Sequence, residues 1–271
     1  MAEYVIKPKR PIGLHLKEIW RFRELFLALT VRDMKVRYKQ TAIGVLWAVF
    51  QPFILMVVFT IFFGRIAQIS TNGVPYPIFV YSGLLFWNYF SNALSAASGS
   101  MVANQAIIQK IYFPRIILPT ASVVVFLLDF IFSSIIFAGL LIYYHVTPNI
   151  TGLLLLVPML LITTLTLLGI GLFFSAVNVK YRDVRYVLPF FIQLLLFVTP
   201  VIYPATILGE YKWLLYLNPM SGVIDVFRST FLSLGSISWP LFGSSILVSI
   251  IFFLVGLAYF QKTERYFADL I

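Results

Sequence analysis

Residues 116–144 read IILPTASVVVFLLDFIFSSIIFAGLLIYY, 29 residues in which Asp129 is the one charged side chain. A helix needs roughly 20 mostly apolar residues to cross a bilayer. This stretch therefore predicts a transmembrane helix long enough to tilt or to extend past the hydrocarbon core. A carboxylate at the bilayer midplane costs about 2.5–3.5 kcal/mol on insertion scales. Asp129 is expected to face protein or water, and a structural hydrogen-bonding role is favoured over an ion relay because no second acid lies in a span.

Five further runs meet the same test: Ile43–Phe63, Ile78–Ala97, Leu153–Val177, Val187–Tyr203 and Leu241–Phe260. The run Val187–Tyr203 is short and is marked by Pro200 and Pro204. The composition agrees with six spans. Of the 271 residues 61% are hydrophobic and 11% charged, whereas a soluble domain carries roughly 25% charged residues. Lipid supplies the missing solvent. The fold class expected is an all-α polytopic membrane protein with six transmembrane helices.

Orientation follows from Lys and Arg in the connections. Ten of the 20 lie in residues 1–40, and the other segments on that side hold Lys110, Arg115, Lys180, Arg182, Arg185, Lys262 and Arg265. The opposite side holds Arg65, Lys212 and Arg228. Basic residues mark the cytoplasmic side and anionic lipid, so both termini are expected in the cytoplasm. The same distribution argues against nucleic acid as the partner of a chain with net charge +10. The first 40 residues hold no uninterrupted apolar run, which predicts no signal peptide.

Signatures of chemistry are scarce. There is no cysteine, and the two histidines, His15 and His145, are far apart in sequence, so neither a thiolate metal site nor any other metal centre is expected. No Gly-Lys dipeptide occurs, which excludes a Walker A loop. Glu210 and Asp225 are better read as helix-end charges than as a hydrolytic pair. No catalytic residue and no cofactor are assigned to this chain.

Three segments outside the spans carry pattern. Residues 14–31 place Lys17, Glu18, Arg21 and Glu24 on one helical face and Leu16, Ile19, Trp20, Phe26 and Leu27 largely on another, which predicts an amphipathic helix in the membrane interface. Packing on another cytoplasmic subunit is the alternative. Residues 101–119 form a basic-side loop in which Asn104–Tyr112 reads as a short helix ended by Pro114; a partner's groove or a plain connector both fit. Residues 204–240 are too apolar for an ordinary outer loop. Asn218 is a candidate N-cap and Pro219 a first helical residue. Two short helices there, the second over about Pro219–Leu232, predict a re-entrant hairpin, with a flat interfacial lid as the alternative.

Aromatic clusters occur at Trp47/Phe50/Phe53, Phe86/Trp87/Tyr89/Phe90 and Phe190/Phe191/Phe197. They are either lipid-facing anchors or rings lining a pathway along which a polysaccharide can slide. Trp47, Phe50, Phe86, Trp87, Phe190 and Phe197 are the channel candidates.

A family resemblance rests on motifs spread over nearly the whole chain. The run Val31-Arg32-Asp33-Met34-Lys35-Val36-Arg37-Tyr38-Lys39-Gln40-Thr41, with Gly44, Trp47, Gln51 and Pro52 after it, resembles the start of permeases of the ABC-2 polysaccharide-export group. Lys110-Ile111-Tyr112-Phe113-Pro114-Arg115 with Leu118-Pro119 resembles their coupling segment, and Val179-Lys180-Tyr181-Arg182-Asp183-Val184 with Leu188-Pro189 a later loop. Pro200, Tyr203-Pro204 and Asn218-Pro219-Met220 match the outer segment. The nearest members are O-antigen exporters, then capsule and teichoic acid exporters.

The resemblance implies a homodimer in the bacterial inner membrane with two separate ABC ATPase subunits, which would hold ATP and Mg. It implies a cargo polysaccharide on undecaprenyl diphosphate. Coupling to the ATPase would then fall to Asn104, Gln105, Ile108, Gln109, Lys110, Tyr112 and Arg115. Capture of the lipid diphosphate would fall to Arg32, Lys35, Arg37 and Lys39, and an outer gate to Tyr203, Pro204, Trp213, Asn218 and Pro219. The organisation expected is one permease domain: 1–40 the cytoplasmic segment with its interface helix, 41–203 the first five spans, 204–240 the gate, 241–271 the last span and tail. Exporters of teichoic acid, capsule or small molecules share this pattern. A polyprenyl-phosphate transferase would need a cluster of acids or histidines that this chain lacks.

Overall fold

The computed structural model describes residues 16–39 and 46–267. His15, Gln40, Thr41, Gly44 and the expected start of the first span at Ile43 lie outside the described residues. The described residues form helices and connecting turns without a β-strand. In order they are α1 (Leu16–Arg21), α2 (Arg23–Lys39), α3 (Leu46–Phe59), α4 (Tyr76–Ala103), α5 (Gln105–Ile108), α6 (Ile117–Tyr143), α7 (Ile150–Lys180), α8 (Val184–Val198), α9 (Pro219–Phe231) and α10 (Trp239–Glu264). A π-helical turn, Thr60–Ile66, continues α3, and a 3₁₀ segment, Ala205–Leu217, precedes α9.

Among the described residues four helical stretches are long and apolar enough to cross a membrane: Leu46–Ile66, Ile117–Tyr143, Ile150–Lys180 and Trp239–Glu264. The expected spans Ile78–Ala97 and Val187–Tyr203 behave differently. The first belongs to α4, which continues to Ala103 and buries 19 of its 28 residues. α4 packs against α3, α6, α7 and α9. Encased by protein, its later turns can use serine, whose hydroxyls bond back to the helix carbonyls of Ser91, Ser95 and Ala97. The second is the 15-residue α8. At 1.5 Å per residue it is about 22 Å long, short of the roughly 30 Å hydrocarbon core.

Among the described helices α7 and α10 share the most extensive contact. A Cβ on Gly256 would stand 1.9 Å from the Gly169 carbonyl oxygen, so the two backbones meet where neither has a side chain. One turn away the Thr166 and Ser249 hydroxyls lie 2.7 Å apart. Small residues that admit close approach, joined by an interhelical hydrogen bond, are how helices associate where lipid offers no hydrophobic drive.

The bundle has two ends. One carries α2, α5, the start of α6, the ends of α7 and α10, and most of the Lys and Arg; it is called the basic end below. A small core fills it, in which Leu29, Ile108, Phe113, Leu172, Phe260 and Phe267 are buried together. The larger core surrounds α4 and extends to the opposite end, where α9 is sunk into the bundle.

Candidate functional site

The expected interface helix is two helices. α1 gives way to α2 at Phe22, and α2 lies along α6. Trp20, Leu27 and Val31 are exposed on it, as are Lys17, Arg21, Lys35 and Lys39, while Leu25, Phe26 and Leu29 turn inward. That division suits a surface half in lipid and half in water.

Between α2, the end of α4 and α6 lies a cleft of about 470 Å³ lined by Arg32, Asp33, Arg37, Ser100, Asn104, Ser122 and Phe126 among others. Of the four cations singled out for diphosphate capture, Arg32 and Arg37 line it; Lys35 and Lys39 are exposed elsewhere on α2. Arg32 donates through Nε and Nη2 to Asp33 Oδ1 at 2.9 and 2.7 Å, and through Nη2 to Asn104 Oδ1 at 2.7 Å. Arg37 Nη2 lies 2.6 Å from Asp129 Oδ2, and its guanidinium sits 4.3 Å from the centre of the Phe126 ring. The Tyr38 hydroxyl donates to Asp129 Oδ1. Burial first, then the Asp129 carboxylate, raises the Tyr38 pKa above its ordinary value, so the phenol keeps the proton it donates. Asp129 is thus neutralised by α2, which brings both an arginine and a tyrosine to it.

The segment expected to couple, next to the cleft, is shorter than the expected Asn104–Tyr112 helix. α5 is a single turn, and a loop follows it. Asn104 and Ile108 are buried; Gln105, Gln109, Lys110 and Tyr112 are exposed and form its outward surface. Arg115 points back instead. Its backbone N–H donates to Glu264 Oε1 at 3.2 Å, its guanidinium donates to the Glu264 carbonyl and rests 5.8 Å from the Phe267 ring. The Tyr112 hydroxyl reaches Glu18 of α1 at 3.3 Å. The segment is therefore tied to both the first and the last helix of the bundle.

The aromatics expected to line a channel divide. Trp47 and Phe50 on α3 and Phe190 and Phe197 on α8 are exposed, but Phe86 and Trp87 are buried inside the protomer. Phe86, at 0% exposure, stacks edge-on with Phe130 and Phe227 at 5.1 and 5.0 Å. Both Phe86 and Trp87 are core residues and cannot line a surface of this protomer, because α4 is the helix the others enclose.

At the opposite end, Asn218 accepts from the Met220 N–H at 3.0 Å and Pro219 opens α9, so the cap and first turn stand where the sequence puts them. The Asn218 amide also donates to Thr199 Oγ1 at 2.8 Å. The first of the two expected short helices is instead the 3₁₀ segment, broken at Gly209 with φ +49°. It follows Pro204 and leaves Ile207, Tyr211, Trp213 and Leu217 exposed. Tyr203 is half-buried, its hydroxyl donating to the Phe197 carbonyl at 2.8 Å.

Charge counting treated Arg228 as a loop residue, and the structure places it in the core of this end. It is 5% exposed and donates to Ser82 Oγ at 3.2 Å and to the carbonyls of Pro200, Phe79 and Val201 at 2.6, 3.2 and 2.5 Å. Its guanidinium lies 3.7 Å from the Phe79 ring centre. Tyr76 donates to the Ile202 carbonyl at 2.6 Å. The backbone that leaves α8 has lost its helical partners, and these two side chains from α9 and α4 satisfy it. One signal was present in the sequence: an arginine three residues after an acid, inside an otherwise apolar helix.

Long apolar helices around an encased central one, an interface helix pairing a buried carboxylate, and an inserted helix at the far end define a polytopic membrane protein. The chain belongs to the ABC-2 type transporter family, whose match runs from residue 24 in α2 to residue 232 at the close of α9. It is 27% identical to the O-antigen export system permease protein RfbA of Klebsiella pneumoniae over 92% of this chain and 95% of that protein. It is 28% identical to the RfbA protein of Myxococcus xanthus over 80% of this chain and 83% of the relative. It is 26% identical to the polysialic acid transport protein KpsM of Escherichia coli over 74% and 78% of the two chains.

Proposed function

We propose that this chain is the channel subunit of an ATP-driven exporter of polysaccharide carried on undecaprenyl diphosphate. Two copies form the pathway in the inner membrane, and two separate ATPase subunits, which hold ATP and Mg, engage Gln105, Gln109, Lys110 and Tyr112. The basic end faces the cytoplasm with both termini. α4 and α8 complete six crossings, α4 shielded from lipid by its neighbours and α8 extended by the turn at 199–203. The cleft of Arg32 and Arg37 takes the diphosphate, with Lys35 and Lys39 drawing anionic headgroups to the same surface. The segment 205–217 closes the outer mouth over a fixed α9.

The observation that carries this reading is the bare face of α8. Val184, Leu188 and Ile192 bind it to the bundle along one line, leaving Tyr186, Phe190, Gln193 and Phe197 uncovered. Lipid is a poor neighbour for Gln193, since an amide without a hydrogen-bond partner costs roughly 2–7 kcal/mol in apolar surroundings. A second copy and a hydrated sugar chain suit the same face. Flat rings stack on the C–H faces of sugars without demanding one geometry, and an amide offers both donor and acceptor. The names of the relatives, O-antigen export permeases and a polysialic acid transport protein, agree with a polymeric cargo.

The test is reconstitution of the chain with its ATPase in proteoliposomes. Lipid-linked polymer is expected to cross only when both subunits and ATP are present, and the purified chain alone is expected not to hydrolyse ATP. Phe190→Ala with Phe197→Ala should slow polymer export severalfold. Efflux of a small dye without polymer transport would overturn the cargo assignment in favour of a small-molecule exporter.

A further inference from the structure

Arg32 has two partners of different kinds. One is Asp33, its neighbour on α2; the other is Asn104, 72 residues away. Asn104 is the joint at which α4 ends and α5 begins. It is buried, its amide donates to the Ser100 carbonyl at 2.8 Å, and its own carbonyl accepts from the N–H groups of Ile107 and Ile108 at 3.0 and 3.2 Å. A single guanidinium thus touches both the cleft and the root of the segment that presents Gln105, Gln109 and Lys110.

The two arginines of the cleft are not equally held. Arg37 faces Asp129, which also accepts from Tyr38, and lies on the Phe126 ring. Arg32 and Asp33 have side chains 41% and 29% exposed, and ion pairs in that setting are weak. Two arginines against two aspartates leave these four groups without net charge. An entering diphosphate therefore competes with the partners the arginines already have, and Arg32 offers it an edge, since its Nη1 donates to neither Asp33 nor Asn104. Phosphate oxygens accept two parallel bonds from a guanidinium fork. On the Nη1–Nη2 edge such a fork takes the Nη2 hydrogen now given to Asn104, and that bond is lost while Nε stays on Asp33.

We propose that Arg32 reports a bound polyprenyl diphosphate to the coupling segment by leaving Asn104 when it grips the phosphates. The inference rests on the cleft being the diphosphate site, as proposed above, and adds the regulation of that site. With Arg32 withdrawn, the Asn104 side chain loses its outer tether and the α4–α5 joint is free to move against the ATPase. Hydrolysis then answers to the diphosphate of the lipid carrier, whatever sugar chain it bears.

The experiment uses the intact complex of this chain with its ATPase, in detergent, and farnesyl diphosphate as the probe. Binding is measured by calorimetry, and hydrolysis as the ratio of stimulated to basal rate. The unaltered complex should bind the probe and be stimulated by it, with farnesol inert. Asn104→Ala should still bind, without loss of affinity, and lose the stimulation. Asn104→Asp, the same size but without the amide that donates to the Ser100 carbonyl, holds Arg32 with a charge; once its assembly is verified by size exclusion, it should need about tenfold more probe, the equivalent of one charge-assisted hydrogen bond. Stimulation of both variants at the same probe concentration and ratio as the unaltered complex would overturn the relay and leave the diphosphate site standing. A complex that exports polymer but neither binds nor responds to the probe would remove the site and the relay together.

Discussion

The Arg37 guanidinium stands 2.6 Å from the Asp129 carboxylate across 92 residues of sequence. The pair fastens α2 to the middle of α6, and Asp129, with its side chain 10% exposed, is the buried member. Removing one partner of a buried pair strands the other charge and costs on the order of 3 kcal/mol or more. Arg37→Ala is expected to lower the melting temperature in detergent sharply. Arg37→Leu with Asp129→Leu should recover most of the loss. Equal losses in the single and double variants would mean that the pair does not hold α2.

Arg228 fixes α9 in place. Replacing it with Met removes four donated bonds; the Phe79 carbonyl keeps the Ser82 hydroxyl, but those of Pro200 and Val201 lose this donor, and each stranded group costs about 1–3 kcal/mol. Poor assembly or a large drop in thermal stability is expected, with little relief from Arg228→Lys, whose ammonium cannot span the same acceptors. Twelve of the thirteen residues of α9 are buried, so single cysteines along it should resist aqueous thiol reagents everywhere except at Asp225. A 3.6-residue rhythm of labelling would instead place one face of α9 in water.

Burial separates what the sequence made legible from what it did not. α6, α7 and α10 could be read because their lipid-facing sides are apolar throughout. α4 was read to Ala97 and runs to Ala103 because a helix enclosed by protein tolerates Ser98 and Ser100, whose hydroxyls bond to their own helix. Its enclosure also turned Phe86 from a channel candidate into core. Asp129 was legible as a residue needing a partner, but the partner lies on a helix that sequence patterning could place only in the interface. Arg228 stood among loop charges because its acceptors are backbone carbonyls, which carry no mark in a sequence.

The α7–α10 contact gives a sharp comparison between two glycines of one helix. Gly256→Ala forces a methyl against the Gly169 backbone, whereas a Cβ on Gly243 meets nothing within 4 Å. Overpacking a tight contact costs typically about 1–3 kcal/mol, and removing an unneeded helical glycine gains up to about 1 kcal/mol. Gly256→Ala should lower the melting temperature and Gly243→Ala should leave it unchanged or raise it. Matching effects at the two sites would place the close approach elsewhere.

The chain has no cysteine, so single ones report orientation without background. Asn72 and Gly209 are exposed at one end, Arg182 and Lys262 at the other. Cysteines at Asn72 and Gly209 should react with an impermeant reagent in whole cells, and those at Arg182 and Lys262 only after lysis. Labelling of Arg182→Cys in intact cells would invert the proposed topology.

The outer mouth makes the last prediction. A pathway wide enough for a polymer has to be shut to ions at rest, and with α9 pinned the proposed closing element is the 3₁₀ segment 205–217. The segment packs on α9 and α10 through the buried Leu215 and is tied at each end by side chains. Tyr203 bonds the Phe197 and Val198 carbonyls at 2.8 and 3.3 Å, and Asn218 anchors the far end through Thr199. Between them Trp213, 59% exposed, presents its ring outward from the bundle. In the proposed dimer a large aromatic in that position would be covered by the second copy or by the mouth the two share. Tyr203→Ala with Trp213→Ala frees one end of the segment and removes its largest side chain, yet touches neither the basic end nor the α5 surface. Resting ion leak through reconstituted vesicles is expected to rise while ATP hydrolysis by the complex continues. Leak at background, with export barely altered, would make the segment a surface lid that takes no part in closing the pathway.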